Sequence, residues 1–127
     1  MLMICLSAGQ SFFIKLERQV FGRKHNHKLV PIRGVRLRRL VSAAESGRRF
    51  TTLLVSVDPH ARMLAHRHES EFEQHLVLSG DGQMNLQGQI RDYRPGSLAV
   101  IPQVAEHSVA AGEHGVVLLA LFSPALT

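Results

Sequence analysis

Five of the eight histidines, His60, His66, His68, His75 and His107, fall between residues 60 and 107. The densest run is His66-Arg67-His68-Glu69-Ser70-Glu71-Phe72-Glu73-Gln74-His75-Leu76-Val77-Leu78-Ser79-Gly80. Imidazole nitrogens and carboxylate oxygens together make a donor set for a divalent transition-metal ion. Residues two apart on a strand project from one face, so His66 and His68 are expected to aim both rings at one point. A short turn would then return a second strand with Glu71, Glu73, His75 and Val77 facing inward. Three of those four side chains are polar, and buried polar groups without partners are costly. A shared metal ion is the simplest partner for them. A second stretch, Arg94-Pro95-Gly96-Ser97-Leu98-Ala99-Val100-Ile101-Pro102, runs from a turn through an apolar strand to a proline, and His107 follows five residues later.

The elements that must position these groups are short. Runs of β-favouring residues predict strands over Ser11–Leu16, Val35–Val41, Phe50–Val57, Glu71–Leu78, Gln83–Leu86, Ser97–Ile101, His107–Ala110 and Val116–Phe122. Turn residues punctuate them at Asp58-Pro59, Ser79-Gly80-Asp81-Gly82, Arg94-Pro95-Gly96, Pro102 and Gly112-Glu113-His114-Gly115. Ser42–Gly47 is compatible with one helical turn and nothing longer. Many short strands at this spacing imply an all-β sandwich or closed barrel. Residues 1–34 are less regular. They are expected to form an arm or added strands of the same unit, with the barrel domain over 35–127.

The two chemistry-bearing stretches resemble the paired signature motifs of the cupin superfamily, small β-barrels that hold one metal ion. The first motif, G-x5-H-x-H-x3,4-E-x6-G, maps onto His66, His68, Glu73 and Gly80. The second, G-x5-P-x-G-x2-H-x3-N, maps onto Gly96, Pro102 and His107, and fifteen residues separate Gly80 from Gly96. The resemblance covers about residues 50–122. It implies a cupin-type double-stranded β-helix, or jelly-roll, barrel with an N-terminal strand or arm. It also implies His66, His68, Glu73 and His107 as ligands of one divalent ion, which the donor set leaves open among Fe, Mn, Ni, Zn and Cu. Three positions depart from the pattern: His60, Val104 and Ala111 stand where the family has Gly, Gly and Asn. A β-branched residue disfavours positive φ, so the Pro102–His107 turn is expected to differ from that of the family.

Around this core of ligands the residues divide. Glu71 shares the predicted strand face with Glu73 and competes for the role of carboxylate ligand. His75, two residues beyond Glu73, is either a substrate-facing acid or base or a packed, hydrogen-bonded interior histidine. Glu71 and His75 are therefore the candidate catalytic pair. Glu69 and Glu106 are expected at the surface, and Met63 and Leu64 are expected to line the pocket or pack beneath it. His25-Asn26-His27 repeats the H-x-H spacing, but Lys24 and Lys28 flank it and no carboxylate follows at ligand distance. It is read as a decoy.

Composition sets the outer bounds. A chain of 127 residues fits one domain. Cys5 is its single cysteine, which excludes an intramolecular disulfide and a Cys-based zinc site. No window approaches the roughly 18 apolar residues of a membrane span, and the first six residues lack the basic leader of a signal peptide. A soluble, cytoplasmic protein is expected. The net charge of +5 is unevenly spread: residues 15–50 hold eleven basic side chains against Glu17 and Glu45, whereas residues 51–127 hold four Arg against eight acids. A basic tract invites phosphate, but no nucleic-acid motif or aromatic platform accompanies it, so a solvated or assembly face is the preferred reading.

The expected function is a metal-dependent enzyme on a small organic molecule, with dioxygenase-like oxidation first. Isomerase, decarboxylase or lyase chemistry and a non-catalytic ligand-sensing module are the alternatives. The resemblance also implies a homodimer, with an N-terminal strand lent to the partner's sheet.

Overall fold

The computed structural model describes residues 33–126, together with the backbone of two N-terminal strands, β1 (Leu2–Leu6) and β2 (Gln10–Ile14). Those two pair antiparallel, from Leu2 opposite Ile14 to Leu6 opposite Gln10. β2 overlaps the predicted Ser11–Leu16 strand, and β1 was not expected. The side chain of Cys5, the His25-Asn26-His27 decoy and most of the basic tract before Arg33 lie outside the described residues.

Seven further strands form one antiparallel sheet folded over on itself: β3 (Val35–Val41), β4 (Thr51–Val57), β5 (Arg62–His66), β6 (Phe72–Leu86), β7 (Gln89–Tyr93), β8 (Leu98–Ile101) and β9 (His107–Ser123). The all-β expectation holds, and no helix is present among the described residues. The fold hangs on the long ribbon of β6 and β9. The first half of β6 pairs with β8 on one side, Glu73 opposite Ile101 and Leu76 opposite Leu98. On its other side it meets the second half of β9, which passes on to β4 and β3. The second half of β6 pairs with β7 and with the first half of β9, whose far edge carries β5. One ribbon thus serves two facing layers, the jelly-roll arrangement.

This corrects the predicted break at Ser79-Gly80-Asp81-Gly82. The glycines do not end a strand there. They mark bulges between Val77 and Ser79 and between Gly80 and Gly82, where the ribbon bends from one layer into the other. Gly80 has φ +83°, and a Cβ on it would collide with the backbone of Gly115 across the ribbon, so only glycine fits. Gly115, at φ +70°, likewise sits inside β9 and does not separate two strands. The predicted helical turn at Ser42–Gly47 is a hydrogen-bonded turn, in which Ser42 Oγ accepts from Glu45 N at 3.1 Å.

Between the layers lies a core of Leu53, Val55, Val57, Val77, Met84, Tyr93, Val109, Val116, Leu118, Ala120 and Phe122. β4 shows the cause in its sequence: Thr51, Leu53, Val55 and Val57 are buried while the residues between them are half-exposed. Full burial of one Val or Leu side chain stabilises by about 1.5–3 kcal/mol. Among the described residues four buried ones are polar, Thr51, Glu73, His75 and His107. Three of them meet at one point.

Candidate metal centre

His66, His68, Glu73 and His107 each present one ligand atom, and those atoms lie within 4.8 Å of one another. They come from three places. Glu73 points inward from β6, in line with His75 and Val77. His107 opens β9, and His66 ends β5 directly opposite it. His68 lies beyond the end of β5, so the shared strand face expected for His66 and His68 is not what converges them. A bulge between Met63 and His66 resets the register of β5 against β9. The chain beyond it is held by Val104 N, which donates to the His68 carbonyl at 2.8 Å.

The tautomers follow from the hydrogen bonds. His66 Nδ1 donates to the Leu64 carbonyl at 2.7 Å and His107 Nδ1 to the Ala105 carbonyl at 3.0 Å. Each therefore keeps its Nε2 lone pair for the centre. Around that point His107 Nε2 lies 3.0 Å and His68 Nε2 3.4 Å from Glu73 Oε1. All three atoms are buried and none makes a well-formed hydrogen bond. Buried polar atoms are rarely left so. Three unpartnered donor atoms converging on one space are what a cation would satisfy, and the residues present fit a divalent metal ion.

Electrostatics agree. Burial alone would push the Glu73 carboxyl up, but contacts from His107, His68 and His75 outweigh it and hold the group well below the usual carboxylate range. Burial lowers His107, yet the Glu73 carboxylate beside it raises it overall. His66 is lowered, by burial first and also by its imidazole neighbours His107 and His68. Glu73 is thus held in its anionic form, the form that ligates a cation.

The neighbouring residues sort as follows. Glu71 is half-buried, its carboxylate accepts from Ser70 N at 3.2 Å, and it is outside the four-residue group. His75 is 1% exposed and faces the rear of Glu73, its Nε2 2.6 Å from Glu73 Oε2. Glu69 lies at the surface, paired with Arg67 at 2.9 Å, and Glu106 is exposed. Met63 packs against the core, but Leu64 is 64% exposed, contrary to expectation, because it lies in the bulge between Met63 and His66, and only its backbone carbonyl serves the centre. Sequence reasoning missed Tyr93, whose hydroxyl lies 2.8 Å from His75 Nδ1. It also missed Phe122, whose ring meets that of His68 edge-on at 5.0 Å. Neither carries a spacing signal, since both reach the centre only through strand pairing.

Two of the departures from the motif sit in the left-handed region, Val104 at φ 57° and His60 at φ 60°. The valine bears strain there, about 1–2 kcal/mol for a residue with a Cβ.

The family model of the cupin domain matches residues 53–122, more than half of the chain. The chain belongs to the cupin family. Similar solved structures include KdgF from Halomonas sp., 24% identical over 76% of this cupin and 85% of that chain, with a TM-score of 0.68. A "predicted oxalate decarboxylase" from Thermotoga maritima is 23% identical over 71% and 80% of the two chains, with a TM-score of 0.66. Ectoine synthase from P. lautus is 17% identical over 77% and 70%, with a TM-score of 0.68. At such identities the likeness is one of fold. No curated protein matches the cupin.

Proposed function

We propose that this cupin is a metal-dependent enzyme acting on a small organic molecule that chelates the ion through oxygen. The observation that carries the reading is the convergence of His66, His68, His107 and Glu73 Oε1, with three of the donor atoms otherwise unsatisfied. When bound, the metal supplies Lewis-acid polarisation of a substrate oxygen and, if iron, manganese or copper, redox chemistry as well. The protein's part is to hold and to shield. Glu73 and His107 are buried at the back of the centre, while His66 and His68 are partly exposed, so a small molecule approaches across their side. Phe122 backs the His68 ring and keeps that wall apolar. Were the bound ion octahedral, His66, His68, Glu73 and His107 would leave two positions for a chelating substrate, or for substrate and dioxygen. Dioxygenase-like oxidation is the first chemistry to test. Non-oxidative decarboxylation, lyase or isomerase chemistry is the second reading, consistent with the name of the Thermotoga maritima neighbour and with a small dicarboxylate as chelator.

A cytoplasmic homodimer completes the proposal. Phe72, Leu76, Leu98 and Val100 form an exposed apolar patch on the outside of β6 and β8, which supports burial against a second copy.

The deciding experiment is elemental analysis of protein purified without an affinity-tag metal, beside His66→Ala and His107→Ala. Turnover of small hydroxy and dicarboxylic acids is then followed in air and under argon. Stoichiometric metal lost in both variants, with product only in air, supports oxidation. Product under argon selects the second reading, and saturable binding without product makes the protein a sensor. Sub-stoichiometric metal in the parent, or unchanged content in the variants, sinks the site.

A further inference from the structure

Behind the ligand set runs a buried chain of polar groups, Tyr93 to His75 to Glu73 Oε2, of which the first two take no part in metal coordination. Tyr93 and His75 are 2% and 1% exposed, and each reaches the next group within hydrogen-bond distance: Tyr93 Oη to His75 Nδ1 at 2.8 Å, His75 Nε2 to Glu73 Oε2 at 2.6 Å. The direction of both bonds is fixed. A carboxylate that ligates a cation only accepts, so His75 Nε2–H donates to Glu73 Oε2. The Tyr93 hydroxyl, whose pKa is raised by burial and by the Glu73 charge, keeps its proton. It has no other hydrogen-bond partner among the described residues, so it donates to His75 Nδ1. His75 is thus held as one tautomer by groups at both ends.

The two oxygens of Glu73 therefore face different tasks. Oε2 is occupied by His75, whereas Oε1 faces His68 and His107. We propose that the Tyr93–His75 pair confines Glu73 to ligation through Oε1 alone, and thereby keeps a coordination position open that a two-oxygen carboxylate would fill. This rests on the metal-centre reading above and specifies its exchangeable positions. It assigns His75 a positioning role, in place of contact with substrate. The strength of the bond favours it, because hydrogen bonds to a charged acceptor are short and roughly twice as strong as neutral ones. Loss of such outer partners typically costs 10–100-fold in metal affinity.

The test uses Mn(II) as probe in the full chain, with affinity from calorimetric titration and bound exchangeable water from water-proton relaxation. His75→Leu is expected to lose about tenfold or more in Mn(II) affinity and to show fewer exchangeable waters per ion. His75→Gln, which keeps an N–H donor near the former Nε2, restores the parental water count. Tyr93→Phe leaves His75 in place without its second anchor and falls between the two. Thermal melts of the metal-free proteins report folding, and Tyr93→Phe and His75→Gln carry the test if His75→Leu does not fold. Unchanged affinity and relaxation in His75→Leu and Tyr93→Phe would overturn the proposal. So would a loss of affinity with an unaltered water count that Gln does not rescue. A parent that binds no Mn(II) or other divalent ion overturns the underlying site instead.

Discussion

The two faces of the first half of β6 contradict the usual rule for a strand on a core. Its inward face carries Glu73 and His75 before the apolar Val77, and its outward face carries Phe72, Leu76 and Leu78, which are exposed. Leu98 and Val100 extend that outer apolar surface on β8, opposite Leu76 and Gln74. A few residues further along, the same ribbon obeys the rule, with Val77, Met84, Val109 and Leu118 inside. On the proposals above, the inverted half is where burial would serve something other than stability: an ion on the inside, and on the outside a face covered by a second copy.

The largest effect separating these regions is expected in the orthodox core. Leu118→Ala should destabilise the protein by about 2–5 kcal/mol, measured by urea unfolding of the metal-free form. In the inverted half, Glu73→Gln should leave that unfolding midpoint nearly unchanged but weaken metal binding by at least about tenfold, since even outer-shell losses reach that size. An equal loss of stability would make Glu73 an ordinary core residue. Third, metal affinity should rise with pH by about tenfold per unit while His107 still holds a proton. The sign follows from the raised His107 value: a protonated imidazole has no Nε2 lone pair to offer, so affinity climbs with pH and levels off once pH passes that value. Calorimetry across pH reads it, and a flat profile would remove His107 from the ligand set. Val104→Gly should relieve the turn and stabilise by about 1 kcal/mol. The smallest effect belongs to the outer face. Leu98→Ser should change unfolding by no more than about 0.5 kcal/mol, yet convert a dimer to monomer in sedimentation. A monomeric parent would refute the covering role.

Much of this was legible in residue spacing. The alternation in Val35–Val41 and Phe50–Val57 placed β3 and β4 within a residue of their observed bounds. The H-x-H, the glutamate and the later histidine, through their resemblance to the cupin motifs, named the four residues that the fold brings together; spacing alone left Glu71 beside Glu73. What escaped was whatever depends on how the chain bends. Gly80 and Gly115 read as turns because glycine signals positive φ without saying whether the strand stops or bulges. β5 and β7 escaped the reading for lack of a clear alternation. Leu64 was placed by proximity to His66, where a bulge in fact decides which side chains face in. Tyr93 could not be linked to His75 from sequence, because the two stand eighteen positions apart with a strand turn between them.

The bond from Val104 N to the His68 carbonyl, and that from Gln103 Nε2 to the Ser70 carbonyl at 2.8 Å, join the chain after β5 to the β8–β9 connection. That connection also carries His107 at its end. Two ligands distant in sequence are in this way mounted on one small frame. An insertion or deletion between Pro102 and His107 would displace both at once, so the centre cannot be retuned ligand by ligand through that loop. Variation in what the site accepts is mechanically easier from the partly exposed side of His66 and His68.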